Sequence, residues 1–267
     1  MIRLAAFDLD GTLFNSSSRI SDGNLAALDE ARKRGIRIVI ASGRPYTVVR
    51  HVLEQLRLDL TDSYCITLNG AQIIRCRDEK ELSGSFISGS DVRDIAGFVL
   101  PRGAFMHTYS VSRGLLLSRM NPYSEIELFG GLVKCAETDF LKLDDNEMFY
   151  KALVAARREL TDQIAADVPE EFRSRFKVIR SLGTLLEFLE PGTGKGPALA
   201  RLAEQLGISA GEIIAFGDEQ NDLDMIEYAG TGVAMANGGE EIKRRADFVT
   251  LSNDEDGVAY ALRRFCF

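Results

Sequence analysis

The chain has little of what marks a zinc protein, a disulfide-stapled protein, a membrane protein or a nucleic-acid binder. It contains four cysteines, Cys65, Cys76, Cys135 and Cys266, none of them in a CxxC pair, and only two histidines. A Cys/His zinc centre therefore lacks its donors, and scattered thiols of this kind read as reduced cytosolic residues. No apolar run approaches the ~18 residues needed to span a bilayer. The first residues pass directly into a strand pattern, with no basic, apolar, cleavable leader. A net charge of −8 and a pI near 5.0 argue against a general nucleic-acid binder. No internal repeat or low-complexity linker breaks the chain. The expectation is a soluble, cytoplasmic protein with neither a membrane nor a nucleic acid as partner.

What is present is an alternation of strand and helix signals. With 45% hydrophobic residues in 267, the chain can bury the core of one large or two modest domains. Leu4 to Phe7 is a short apolar run. Leu25, Leu28 and Ala31 repeat at helical spacing, with Gly35 placed to stop the helix. Ile36 to Ala41 reads as a buried strand. Pro45 stands at an expected first helical position, followed by the apolar face Val48, Val49, Val52, Leu53 and Leu56. Cys65 to Leu68 is a third strand. The rhythm returns near the other end, where Ala198 to Leu206 is an amphipathic helix closed by Gly207. Ile213–Phe216, Gly232–Met235 and Asp247–Thr250 are short strands there. Strands separated by amphipathic helices imply right-handed βαβ units and a parallel sheet covered on both faces.

Between these halves the texture changes. AFMHTY, GLLLS, FYKALVAA and RFKVIR are strand candidates, with helical patterns at Val92–Leu100 and Glu159–Phe172 among them. This predicts an α+β insert with antiparallel strands. The expected fold class is α/β: a discontinuous Rossmann-like parallel-sheet core over 1–83 and 188–267, with an inserted domain over 84–187.

In open parallel sheets, ligands collect beyond the carboxyl ends of the strands. The first strand ends in Asp8 and Asp10, the second in Ser42-Gly43-Arg44, and the third in Asn69-Gly70. The strand Ile213–Phe216 ends in GDEQND, which supplies Asp218, Asn221 and Asp222. Acids gathered on one rim repel one another unless a cation sits among them, and hard oxygen donors suit Mg²⁺ best. The Ser42-Gly43 and Asn69-Gly70 turns, small and rich in donors, are candidate phosphate cradles.

DLDGT at Asp8–Thr12, ASGR at Ala41–Arg44, Lys195 in GTGKG and GDEQNDLDM at Gly217–Met225 resemble, in order, the four motifs of the haloacid dehalogenase-like (HAD) hydrolase superfamily. The spacing, Asn69-Gly70, the large insert, GVAMANG and SNDEDGVA resemble its Cof-type phosphatases, which carry a type-2 α+β cap. The resemblance covers the whole core; the insert matches in length and texture. It implies a HAD fold and an aspartyl-phosphate mechanism. Asp8 would be the nucleophile, and Asp10 the acid that protonates the leaving alkoxide and then the base that activates water. Mg²⁺ would be held by Asp8, the Asp10 carbonyl and Asp218. Ser42 with the Gly43 and Leu9 amides, Lys195 and Asn221 would bind the phosphoryl group. Thr12, Arg44, Asn69 and Asp222 would support them. The implied substrate is a small phosphorylated metabolite, a sugar phosphate or a phosphorylated cofactor.

The same residues admit other readings. DLDGT is not an EF-hand start, because Arg19 stands where the closing glutamate belongs. GTGKG is not a phosphate loop of the Walker type, because Gly196 replaces the Ser/Thr and Leu189 the first glycine. Ser42 is also a candidate N-cap for the helix after Pro45. Arg44 could bind phosphate or pair with an acid. Asp224 and Asp254 read as caps or exposed acids, Asn253 as a support of the metal site, and His107, Tyr109, Phe149 and Tyr150 as structural. The alternative functions are a phosphosugar mutase and a non-catalytic metabolite-binding regulator.

Overall fold

The computed structural model describes residues 1–56 and 62–267, with Gln55 and Leu56 in backbone only. Leu56, expected on the apolar face of the second helix, therefore has its side chain outside the described residues. The chain divides into two compact units, Met1–Ser83 with Gly194–Phe267, and Gly84–Thr193. The second crossing follows Thr193 and not Glu187, because Leu185–Leu189 is a strand of the second unit's sheet.

In chain order the strands are β1 Leu4–Phe7, β2 Arg37–Ala41, β3 Ser63–Thr67, β4 Gln72–Arg75 and β5 Lys80–Gly84. The second unit carries β6 Ile87–Ser88, β7 Phe105–Ser110, β8 Gly114–Leu117, β9 Cys135–Glu137, β10 Met148–Ala155, β11 Lys177–Leu182 and β12 Leu185–Leu189. The first unit closes with β13 Ile213–Gly217, β14 Thr231–Ala234 and β15 Phe248–Val249.

The first unit's sheet runs β15-β14-β13-β1-β2-β3-β4-β5. β1 lies at its centre, parallel to β13 on one side and β2 on the other, and β3 and β14 continue the parallel run. All of β1 is buried, and its side chains alternate between faces. Ala5 and Phe7 pack with helices Asp22–Lys33 and Gly257–Phe265 through Leu28, Ala31, Val258 and Leu262. Leu4 and Ala6 pack on the other face with Ala198, Leu199 and Leu202 of helix Lys195–Leu206. A central strand buried on both faces needs a continuous apolar sequence, which is why LAAF was readable. In the first helix Asn24 is buried; its Oδ1 accepts the Ala259 N–H at 2.9 Å.

Several elements differ from expectation. β3 begins at Ser63 and ends before Leu68. β4 pairs antiparallel to β3, so the sheet is mixed at that edge; QIIR is too short and too polar at its ends to signal a strand. Pro45 precedes helix Tyr46–Leu56 and gives its carbonyl to the Val48 and Val49 amides. The pattern over Glu159–Phe172 resolves into two helices, Arg158–Ala166 and Glu170–Arg175. Pro169 stands between them, where it offers no N–H and disfavours helix in the residue before it.

The second unit's sheet runs β11-β12-β10-β7-β8-β9, antiparallel except between β8 and β9. One face is an apolar layer in which Val92, Ile95 and Val99 of helix Gly89–Val99 meet Met106, Val154 and Phe188. By alternation His107, Tyr109, Lys151 and Glu187 point the other way. They are buried nonetheless: Lys151 Nζ lies 3.2 Å from Glu187 Oε2, and the Tyr109 hydroxyl donates to Glu127 Oε2 at 2.8 Å. The Asn121 amide donates to His107 Nε2 at 2.9 Å.

Burial pushes the His107 imidazole down from 6.5 to about 4; the Asn121 bond opposes this and the Lys151 charge adds to it. The unfolded chain therefore binds this proton where the folded one does not. Stability from the neutral ring is complete above about pH 6.5 and is lost as pH falls toward 4. The loss amounts to ~3 kcal/mol at the acid end. Urea titrations from pH 7.5 to 4.5 should show a steeper fall for the wild type than for His107→Gln. Parallel slopes would exclude the effect.

Candidate active site

β1, β2, β3 and β13 are parallel, so the segments that follow them emerge at one edge of the sheet. The Asp8 N–H still donates to the Phe216 carbonyl at 3.1 Å, which carries the β1–β13 ladder one residue further and sets the carboxylate at the strand tip. The chain then turns. Leu13 and Phe14 donate back to the Asp8 and Leu9 carbonyls at 3.3 and 2.8 Å, and Gly11 takes a φ of +81°. Gly11 is needed for space as well: a Cβ there would lie 2.2 Å from Asp218 Oδ2. Leu9 is fully buried in the core and anchors the turn from below.

Lys195 opens helix Lys195–Leu206, with only 1% of its surface exposed. Its Nζ donates to Asp8 Oδ1 and to Asp222 Oδ1, each at 2.6 Å. The other oxygen of Asp222 accepts the Asp218 and Glu219 N–H groups, both at 3.1 Å. Thr12 Oγ1 donates to Asp218 Oδ1 at 2.8 Å and ties the loop after β1 to the loop after β13.

The electrostatics follow from burial. Desolvation raises the Asp8 carboxyl well above its ordinary range; Lys195 opposes this, and Asp222 and Asp218 reinforce it. Desolvation also lifts Asp218 to about 7, against the Thr12 hydrogen bond and with the charges of Asp222 and Glu219. Burial alone would depress Lys195, but its two carboxylates more than reverse that.

Asp8, Asp218 and Asp222 offer carboxylate oxygens that all lie within 4.8 Å of one another. One buried ammonium faces these three acids, so the donor set is hard, anionic and short of positive charge, as a divalent cation requires. Asp222 already spends one oxygen on Lys195 and the other on two amides. Asp8 and Asp218 are the better ligands, and Asp222 fixes the lysine.

Asp10 is not part of this network. Its side chain is 59% exposed, and Arg44 grips it through Nε at 2.8 Å and through Nη2. The Arg44 guanidinium also lies 5.5 Å from the Phe14 ring centroid. Of the two readings of Arg44, this structure has the acid pair. Ser42 is buried, and its Oγ accepts the Arg44 N–H at 3.2 Å. It does not cap the helix after Pro45, because the turn it stabilises ends before that helix begins. Gly43 lies against the Asn69 carboxamide, and Asn221, exposed at the rim, donates to Asn69 Oδ1 at 3.2 Å.

The remaining polar residues are supports. Asp224 Oδ1 accepts the Gly196 N–H at 2.9 Å and caps the lysine's helix from a neighbouring segment. Asp254 accepts the Ser16 N–H at 2.8 Å. Asn253 donates to the Phe14 carbonyl and through its own N–H to Asn237 Oδ1. Asn237 in turn donates to the Gly11 carbonyl at 2.8 Å. Sequence reasoning missed Asn237. The available signal was its place in GVAMANG, just beyond the carboxyl end of β14.

The sequence model of the haloacid dehalogenase-like hydrolases matches residues 5–262. Among relatives, the 5-amino-6-(5-phospho-D-ribitylamino)uracil phosphatase YcsE of Bacillus subtilis (strain 168) is 31% identical over 266 residues, 99% of this chain and 96% of that protein. Phosphatase YwpJ of the same organism is 30% identical over 286 residues, covering 98% and 99%. Among solved structures, a haloacid dehalogenase-like hydrolase from Bacteroides thetaiotaomicron aligns over 99% of both chains with a TM-score of 0.87 and 32% identity. The chain belongs to the haloacid dehalogenase-like hydrolase family, as a phosphatase of the Cof type.

Proposed function

We propose that this protein hydrolyses phosphomonoesters of small metabolites with Mg²⁺, through a phosphorylated Asp8. The observation that carries the reading is the buried pair of Asp8 and Lys195 at the tip of the central strand, with Asp218 beside it. An attacking carboxylate and a phosphate are both anionic, and Lys195 supplies a fixed positive charge where they meet. Asp8, Asp218 and the Asp10 carbonyl would hold Mg²⁺, which when bound offsets the remaining negative charge of nucleophile and phosphate.

In the first displacement Asp8 attacks phosphorus and the ester oxygen leaves with a proton from Asp10. In the second, Asp10 takes a proton from water as that water attacks phosphorus, releasing inorganic phosphate and restoring Asp8. Exposure suits Asp10 to this exchange, since it is the rim acid outside the buried ion network. Ser42, the Gly43 and Leu9 amides and Asn221 would hold the phosphoryl oxygens. We assign the inserted unit, 84–193, the part of a cap that selects the leaving group. A sugar phosphate or a phosphorylated cofactor precursor suits the reading, since one relative is named for a phosphorylated ribityl compound.

Wild-type protein should hydrolyse a chromogenic phosphate ester with Mg²⁺ and stop in EDTA. Asp8→Asn should cut turnover by roughly 10³-fold or more, and Asp10→Asn by ~10²–10⁴-fold. Full activity in Asp8→Asn would sink the mechanism, and release of a hexose 6-phosphate from a hexose 1-phosphate would point to a mutase.

A second expectation concerns the metal. With Asp218 held near 7, a proton competes with Mg²⁺ for it, so Mg²⁺ affinity should strengthen as pH rises from 6 to 8. Calorimetric Mg²⁺ titration measures this directly. Asp218→Asn should weaken binding at least about tenfold and flatten the pH dependence; an unchanged titration would remove Asp218 from the ligand set.

A further inference from the structure

β3 is followed by three consecutive residues with left-handed backbone: Leu68 at φ +52°, Asn69 at +57° and Gly70 at +94°. A leucine in that region is strained, and asparagine tolerates it better than most side chains. Such strain persists where the surroundings over-determine it, and those surroundings are specific here. The Leu68 N–H donates to the Arg44 carbonyl and the Asn69 N–H to the Ser42 carbonyl, both at 3.1 Å. Asn69 Oδ1 accepts from Asn221 Nδ2 at 3.2 Å, and a Cβ on Gly43 would come within 3.0 Å of that same oxygen. Gly70 packs on the residue before Lys195: a Cβ there would stand 2.1 Å from the Gly194 carbonyl oxygen. The Gly70 carbonyl accepts from Arg201, on the lysine's helix, at 3.3 Å.

One strained turn thus touches three separate segments that the proposed function places around the phosphate: Ser42-Gly43, Gly194-Lys195 and Asn221. Asn69 is its centre, with 7% of its surface exposed. Its Oδ1 accepts from Asn221, so the oxygen end of the carboxamide faces the Asn221 side chain. Asn221 Nδ2 carries a second hydrogen, which the bond to Asn69 leaves available and aims.

Resting on the phosphatase reading, we propose that Asn69 is a positioning residue: it orients the Asn221 carboxamide and spaces it from the Ser42-Gly43 loop, and so sets the width of the phosphate cradle. On this reading the small, donor-rich Asn69-Gly70 turn, itself a candidate cradle by sequence, would stand behind the Ser42-Gly43 cradle.

The test is a double-mutant cycle with Asn69→Gly and Asn221→Ala. Glycine keeps the left-handed backbone without steric cost and removes only the carboxamide, so N69G should melt close to the wild type. The readouts are kcat and KM for a chromogenic phosphate ester and the inhibition constant for inorganic phosphate. Each single variant should raise KM and the phosphate inhibition constant about tenfold, within the usual range of coupling between contacting residues. The double variant should be no worse than N221A alone, because Asn69 acts through Asn221. Losses that multiply would overturn the proposal, as would an N69G enzyme with unchanged phosphate inhibition. A wild type that neither turns over the ester nor is inhibited by phosphate overturns the phosphatase reading, and the cradle with it. Multiplied losses in an active enzyme overturn only the role given to Asn69.

Discussion

The site depends on one buried ammonium. Lys195 Nζ sits between Asp8 and Asp222, two carboxylates from opposite ends of the chain, with Asp8 187 residues away in sequence. Taking three acids and one base out of water is costly, and removing the base would leave uncompensated charge where solvent cannot reach it. The position of Lys195 is itself unfavourable in isolation, because it opens a helix whose amino end carries partial positive charge. Asp8 and Asp222 reverse that penalty, and Asp224 caps the next residue's amide. The same helix end that repels a lysine attracts anions, so it is suited to a phosphate once the carboxylates are shared with a cation.

Holding this ion set requires the parallel centre of the sheet. β1 and β13 are paired residue for residue from Leu4–Ile213 to Phe7–Phe216, and the Phe7 and Phe216 rings stack at 4.8 Å. That register fixes Asp8 beside the β13 loop, and Thr12 then fastens the two loops through Asp218. Asn237 and Asn253 hold the outside of the same turn by its carbonyls. The polar groups at the rim are therefore held in place by side chains before any ligand arrives, which is the condition for electrostatic stabilisation without reorganisation.

What was legible in the sequence follows from this architecture. Strands buried on both faces must be written as apolar runs, so LAAF, IRIVIA and IIAF stood out, and the polar residues after them had to share an edge. The second unit's β12 was harder to assign, since LLEFL carries a buried glutamate whose partner Lys151 lies on another strand. The helix break at Pro169 was available from the proline alone but was masked by continuous amphipathic spacing around it. Side-chain pairing was less legible still. Nothing in ASGR says that its arginine grips Asp10, or that its serine turns inward to accept the Arg44 amide. Those are tertiary facts, decided by where loops from different strands cross.

The two aspartates of DLDGT show how far two residues can part. Leu9 fills the core and pins the backbone between them, and Gly11 then bends the chain. Asp8 stays at the strand tip, buried against an ammonium; Asp10 emerges into solvent and is gripped by a guanidinium. Under the proposed chemistry the difference is functional. A nucleophile must be held rigidly and kept from water, because misplacement by a fraction of an ångström forfeits the attack geometry. A proton carrier needs contact with solvent and a hold it can leave, and an exposed ion pair is weak enough for that. Identical side chains thus serve different ends because one intervening leucine and one glycine send them into different dielectric surroundings.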